Sequence, residues 1–132
     1  SESLGAAILE LVSQYDQTGA ITILPRIDED ISLEDPVIAV QLYHIAQEAL
    51  TNAFKYSRAR TVEISLLKEV SELILSITDN GCGFDLQKTG GLGLPIMQYR
   101  ANMAGGNLSI LSEKGRGTSI VCRVPMKAFQ SI

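Results

Sequence analysis

Histidine occurs once in the 132 residues, cysteine twice and tryptophan not at all. Cys82 and Cys122 lie far apart, with no CxxC pair and no second histidine, which excludes a zinc site of the usual spacing. Two isolated cysteines fit a reducing compartment and predict free thiols. No apolar run approaches the roughly 20 residues of a membrane-spanning helix. The opening Ser-Glu-Ser-Leu-Gly also lacks the basic lead-in of a secretion signal. The expectation is a cytoplasmic domain with no membrane contact of its own. Basic residues are sparse too: 11 Lys and Arg against 15 Asp and Glu give a net charge of −4. They are scattered, so a nucleic-acid surface, which needs clustered cations, is not expected. Repeats, low-complexity tracts and linkers are absent. What remains is 45% hydrophobic residues, enough for one buried core. A single domain over residues 1–132 is expected, with its core in 4–126.

Leu4, Ile8, Leu11, Val12 and Tyr15 recur at helical spacing and predict a helix over 4–15. Gly19 ends it, and residues 21–24 read as a short strand stopped by Pro25. The longest helical pattern runs from about Pro36 to Tyr56, with proline placed to open it. Ile38, Leu42, Ile45, Ala46, Ala49, Leu50 and Ala53 share one side. Gln41, His44, Gln47, Glu48, Thr51, Asn52 and Lys55 form a polar stripe on the other. Residues 62–67 and 73–79 predict an antiparallel hairpin. A glycine-punctuated stretch then leads to a helix over about 94–104, with Pro95 in its first turn and Gly105-Gly106 stopping it. Residues 108–111 and 118–124 predict a last hairpin around Lys114-Gly-Arg-Gly117. About five strands in a mixed sheet with about three helices on one face make an α+β, two-layer α/β sandwich.

Four segments carry candidate chemistry. In Asp79-Asn-Gly-Cys-Gly83, Asp79 shares the phase of Leu73, Leu75 and Ile77, so its carboxylate points to the core face. A charged acid there is costly unless something donates hydrogen bonds to it, as an adenine amino group would. Gly81 and Gly83 would let backbone approach a flat base, although Asp-Asn-Gly is also a common tight turn. Gly90-Gly-Leu-Gly93 leads straight into a helix, whose free N–H groups suit phosphate, or it is simply a loop and cap. Without Gly-Lys-Ser/Thr there is no P-loop, and the glycines after the strand open a loop rather than a helix, so the Rossmann order fails. Glu48 and Asn52, four apart with Lys55 beside them, suit an oxygen-loving magnesium ion and phosphate charge, or are a solvated face. Gly115-Arg-Gly-Thr118 is most simply a hairpin turn, or its threonine, at the start of a central strand, hydrogen-bonds near a base.

In this order and spacing, these segments resemble the GHKL ATPase superfamily, and within it the catalytic domain of sensor histidine kinases of the nitrate-sensor type. Residues 45–57 are similar to its N box, 79–85 and 91–94 to its two glycine boxes, and 115–118 to its closing motif. The resemblance covers about 4–126 and implies the Bergerat fold, with ATP and Mg²⁺ bound beneath a short lid at about 86–90. It implies Asp79 on the adenine amino group, with Gly81, Gly83 and Thr118 around the base. Gly91, Leu92, Gly93 and Leu94 would adjoin the phosphates, Asn52 and Glu48 would ligate Mg²⁺, and Glu48 would orient water or act as a base. Lys55 would contact phosphate. Tyr56 stands where that family usually has histidine, as a nucleotide-contact position, and His44 stands where arginine is common. His44 either pairs with Glu48 on a metal or is an exposed helix residue.

The implied activity is transfer of the γ-phosphate of ATP to a histidine on a separate dimerisation and phosphoacceptor helical hairpin of the same longer protein, a response regulator being served indirectly. Alone, the domain would bind nucleotide and autophosphorylate poorly. The alternatives are a GHKL ATPase or an anti-sigma-type serine kinase using the same pocket. Lys55, where the hydrolases usually carry aspartate, favours the kinase reading.

Overall fold

Ser3 opens the first helix: its hydroxyl accepts the N–H of Ala6 at 3.1 Å, and α1 follows over Leu4–Asp16. The computed structural model describes residues 3–28, 31–33, 35–84 and 93–126. Asp35 caps the second helix in the same way, accepting from Val37 N–H at 2.9 Å, with Pro36 in the first turn where its missing N–H costs nothing. This helix, α2, covers Pro36–Asn52 and then widens into a π-helical turn, Ala53–Ser57. The third, α3, spans Leu94–Met103.

The strands are β1 (Thr22–Ile27), β2 (Thr61–Lys68), β3 (Glu72–Asp79), β4 (Asn107–Glu113) and β5 (Gly117–Pro125). They form one sheet in the order β1-β2-β3-β5-β4, parallel only between β1 and β2. The α+β sandwich with a mixed five-stranded sheet is therefore as expected. Two boundaries differ. The first strand continues through Pro25, which pairs in register with Ile64; as the sheet's edge, β1 tolerates a residue with no N–H to donate. The fourth strand runs two residues past Leu111, so Ser112 lies inside the ladder.

The three central strands β2, β3 and β5 alternate, and one face of the sheet is the core. Two rows cross it: Ile64, Ile77, Ile120 and Ile110, and beside it Leu66, Leu75, Cys122 and Leu108. Against these rows the helices bury Ile8, Leu11, Leu42, Ile45, Leu50 and Met97. Cys122 is a core thiol, pushed up to about 11 by burial, and both cysteines are free. Ile64 has no exposed surface, so Ile64→Ala is expected to cost about 2–5 kcal/mol in urea unfolding. That is a large share of the 5–15 kcal/mol or so typical of a domain. A loss under about 1 kcal/mol would contradict this packing. Among the described residues, no helix is long and apolar enough to cross a membrane.

Candidate functional site

One row further along the same face, the hydrocarbon stops. Val62, Asp79, Thr118 and Ser112 stand in register across β2, β3, β5 and β4. Three polar side chains thus occupy positions whose neighbours along each strand are core residues. Above them, where α2 gives way to the π turn, lies a cavity of about 120 Å³. Among the described residues its walls are Ala49, Asn52, Ala53, Tyr56 and Ser57 from the helical layer. Ile77, Asp79, Thr118 and Ile120 come from the sheet, and Gly83, Phe84 and Leu94 from the connections. An apolar slot with a few convergent polar groups is the usual form of a small-molecule site.

The Asp79 carboxylate accepts the N–H of Gly81 at 2.9 Å and is also served by the backbone N–H of Thr118. Burial nevertheless outweighs both donors and raises its pKa above 3.8. The sequence reading made a bound purine the donor that keeps this acid charged; the structure corrects that in part, because the chain supplies two donors of its own. The cavity beside the carboxylate remains. Asn80, next in sequence, fastens the turn: its Oδ1 accepts the N–H groups of Arg60 and Thr61, each at 3.0 Å.

The π turn is held from several sides. Ser57 Oγ donates to the Ala53 carbonyl at 2.5 Å and accepts from Ala59 N–H at 3.0 Å, while Cys82 N–H donates to the Ser57 carbonyl at 2.6 Å. π-helical turns interrupting α-helices gather at functional sites, since they re-aim the side chains that follow. Here Asn52 and Tyr56 both reach the cavity, Tyr56 remaining 53% exposed.

The candidate residues are not all brought together. Asp79, Gly83, Asn52, Tyr56, Leu94 and Thr118 line the cavity; Glu48, Lys55, Gly81 and Gly93 do not. Lys55 sits exposed on the π turn. Glu48 lies against Gly93, whose φ of 67° starts α3, so the carboxylate adjoins the helix end that the sequence reading reserved for phosphate. Gly81 and Gly83 also serve close contacts within the chain. A Cβ on Gly81 would strike the Ser57 carbonyl, and one on Gly83 the Glu113 carbonyl. At both positions the close approach is of chain to chain, not yet of chain to base. Gly91, Leu92 and the lid at 86–90 lie outside the described residues.

Part of the polar stripe of α2 is shared among neighbours, while Gln47 and Lys55 stay exposed. Gln41 accepts from Arg100 of α3 at 3.0 Å, and Thr51 is hydrogen-bonded to Tyr15 of α1 at 2.6 Å. His44, read as an exposed residue or a partner of Glu48, is half-buried in a groove between α1 and α2, edge-on to Tyr43 with ring centres 5.8 Å apart. Among the described residues, no three of His, Cys, Asp and Glu gather to hold a metal ion by themselves. Two site residues went unread in the sequence: Ser57, the buried pin of the π turn, and Ser112. The period-two phase of Leu108 and Ile110 points to Ser112 once β4 is carried past Leu111.

Residues 38–128 match the family described as histidine kinase-, DNA gyrase B-, and HSP90-like ATPases. The oxygen sensor histidine kinase NreB of Staphylococcus carnosus is 33% identical over 126 residues, 93% of this chain and 36% of that protein. The sensor histidine kinase LiaS of Bacillus subtilis is 38% identical over 106 residues, 76% of this chain and 29% of that protein. The chain thus spans about a third of the length of these relatives. Among solved structures, the histidine kinase domain of the blue-light activated kinase of Erythrobacter litoralis EL346 superposes with a TM-score of 0.80. It does so at 23% identity, over 93% of this chain and 61% of the other. The catalytic domain of the histidine kinase ThkA does so at 0.74 and 16% identity, over 92% of this chain and 89% of the other.

Proposed function

Because the chain belongs to the histidine kinase-, DNA gyrase B- and HSP90-like ATPase family, we propose that it binds Mg·ATP in the cavity beside Asp79 and donates the γ-phosphate to a histidine of a separate helical hairpin. That hairpin belongs to a longer sensor kinase, of which this is the cytoplasmic catalytic domain, and a response regulator takes the phosphoryl group in turn. The names of the relatives support this reading. The observation that carries it is the half-buried Asp79 carboxylate at the polar end of the core, facing an apolar slot.

In this arrangement the adenine slides between the helical layer and the sheet, its amino group donating to Asp79. Asn52 and Glu48, one turn apart on α2, offer a carboxamide oxygen and a carboxylate. With no cluster of three His, Cys, Asp or Glu among the described residues, these donors fit an ion that keeps waters and takes its remaining oxygens from phosphates, as magnesium does. When bound, magnesium supplies charge neutralisation on the phosphates. Lys55 adds a cation from the exposed turn, and Glu48 orients the nucleophile or accepts its proton. The chain's contribution is mostly positioning and charge, as phosphoryl transfer requires.

Calorimetry should show micromolar-to-millimolar ATP affinity, about −4 to −8 kcal/mol. Transfer should appear only when an acceptor hairpin is added. Asn52→Ala should weaken the magnesium-dependent part of binding by at least roughly tenfold. An alanine variant with an unchanged magnesium response removes Asn52 from the metal. Steady ATP turnover by the isolated chain would favour a hydrolase instead.

A further inference from the structure

Ser112 does not itself line the cavity, yet it fastens three pieces of the site at once. Its Oγ accepts the N–H of Phe84 at 2.9 Å, lies 2.8 Å from Thr118 Oγ1 and 3.4 Å from the Gly117 carbonyl. We propose that Ser112 is a positioning residue that fixes the Thr118 hydroxyl as a donor into the cavity, so that Asp79 and Thr118 together read the amino group and N1 of adenine and reject purines of reversed polarity. The inference rests on the ATP reading above and goes on to say how the base is chosen.

Proton bookkeeping supports this. A serine hydroxyl has one hydrogen and two lone pairs. Phe84 N–H occupies one lone pair, and the single hydrogen has two possible acceptors. Thr118 Oγ1 at 2.8 Å is the better by distance; the Gly117 carbonyl at 3.4 Å is at the weak limit. With Ser112 as the donor, as proposed, Thr118 accepts from it and its own hydrogen is left for the cavity that Thr118 lines. Thr118 is only 8% exposed, so this polarity is sheltered from water. Asp79 is its register partner, and the Thr118 backbone N–H serves the carboxylate. An acceptor and a donor are thus held side by side. Adenine presents the complement, an amino donor beside the N1 acceptor. Hypoxanthine and guanine present a carbonyl beside an N1–H, setting acceptor against acceptor and donor against donor.

The probes are ATP, inosine triphosphate and 1-deaza-ATP, titrated calorimetrically into the chain and its variants. Wild type should bind 1-deaza-ATP roughly 2- to 12-fold more weakly than ATP, the worth of one hydrogen bond. In Ser112→Ala the Thr118 hydroxyl can turn and accept from N1–H. The preference for ATP over inosine triphosphate should then shrink by roughly 2- to 12-fold. Ser112→Thr, which keeps the hydroxyl, should restore it. A merely structural role would weaken all three nucleotides alike and leave the ratio unmoved, and that result overturns the proposal. So does an absent 1-deaza penalty in wild type, which would place N1 elsewhere. Should Ser112→Ala not fold, Thr118→Val must show the relaxed ratio, and an unchanged ratio there is equally fatal. A wild type that binds no ATP at all would instead refute the nucleotide site itself.

Discussion

Replacing Asp79 with asparagine is expected to lower ATP affinity by roughly 10- to 150-fold, the worth of a hydrogen bond to a charged group, while leaving the domain folded. The two outcomes separate because the carboxylate is a liability to the fold. Burial raises its pKa above 3.8 despite the Gly81 and Thr118 donors, so the ionised form is disfavoured in the native state relative to the unfolded one. A raised carboxylate pKa has a definite sign in linkage. The native state holds the proton more tightly than the unfolded state. Asp79's unfavourable contribution is therefore absent below 3.8, sets in as pH rises through the unfolded value, and is complete above the folded value. Asparagine carries no such dependence. Its stability at neutral pH should be no lower than wild type, and the difference between the two should shrink towards acid. Denaturant titrations across that range read the difference, and calorimetry reads the affinity. Wild-type ATP affinity should also fall in acid as Asp79 takes up a proton. Retained affinity in Asp79→Asn would remove the adenine assignment, whatever the stability showed.

How much of this was legible in the residues depends on how local each cause is. The phase of Asp79 was readable, because side chains alternate along a strand and Leu73, Leu75 and Ile77 set the buried face. So were the two hairpins and the start of α2, where Asp35 and Pro36 act within one turn. The π turn was not. Its cause lies in contacts distant in sequence, the Ser57 carbonyl accepting from Cys82 while Asn80 anchors the following strand, and helical periodicity registers neither. The passage of β1 through Pro25 was hidden for the same reason, since proline is tolerable only at an edge, and edge status depends on sheet order. Glu48 and Lys55 could be placed on the right helix face but not at the cavity. Spacing gives a direction from the helix axis, whereas the cavity begins where the α-helical pitch is abandoned.

That loss of pitch makes the second large effect, Gly81→Ala, a test of how the site is assembled. Gly81 needs no unusual φ; what it lacks is room. A Cβ would meet the backbone carbonyl of Ser57, which already accepts the Cys82 N–H at 2.6 Å and has its hydroxyl tied to Ala53. Neither side can yield by rotating a side chain, so the turn after β3 and the π turn must separate. Overpacking of this kind costs about 1–3 kcal/mol, and backbone against backbone belongs at the upper end. The same displacement moves Asp79, which takes the Gly81 N–H, relative to Asn52 and Tyr56 on the opposite wall. ATP affinity should therefore fall with stability, and the deficit should persist at temperatures where the variant is fully folded. Unfolding curves and calorimetry on one preparation decide the matter. An alanine variant as stable and as avid for ATP as wild type would mean that the two walls are not locked together at Ser57.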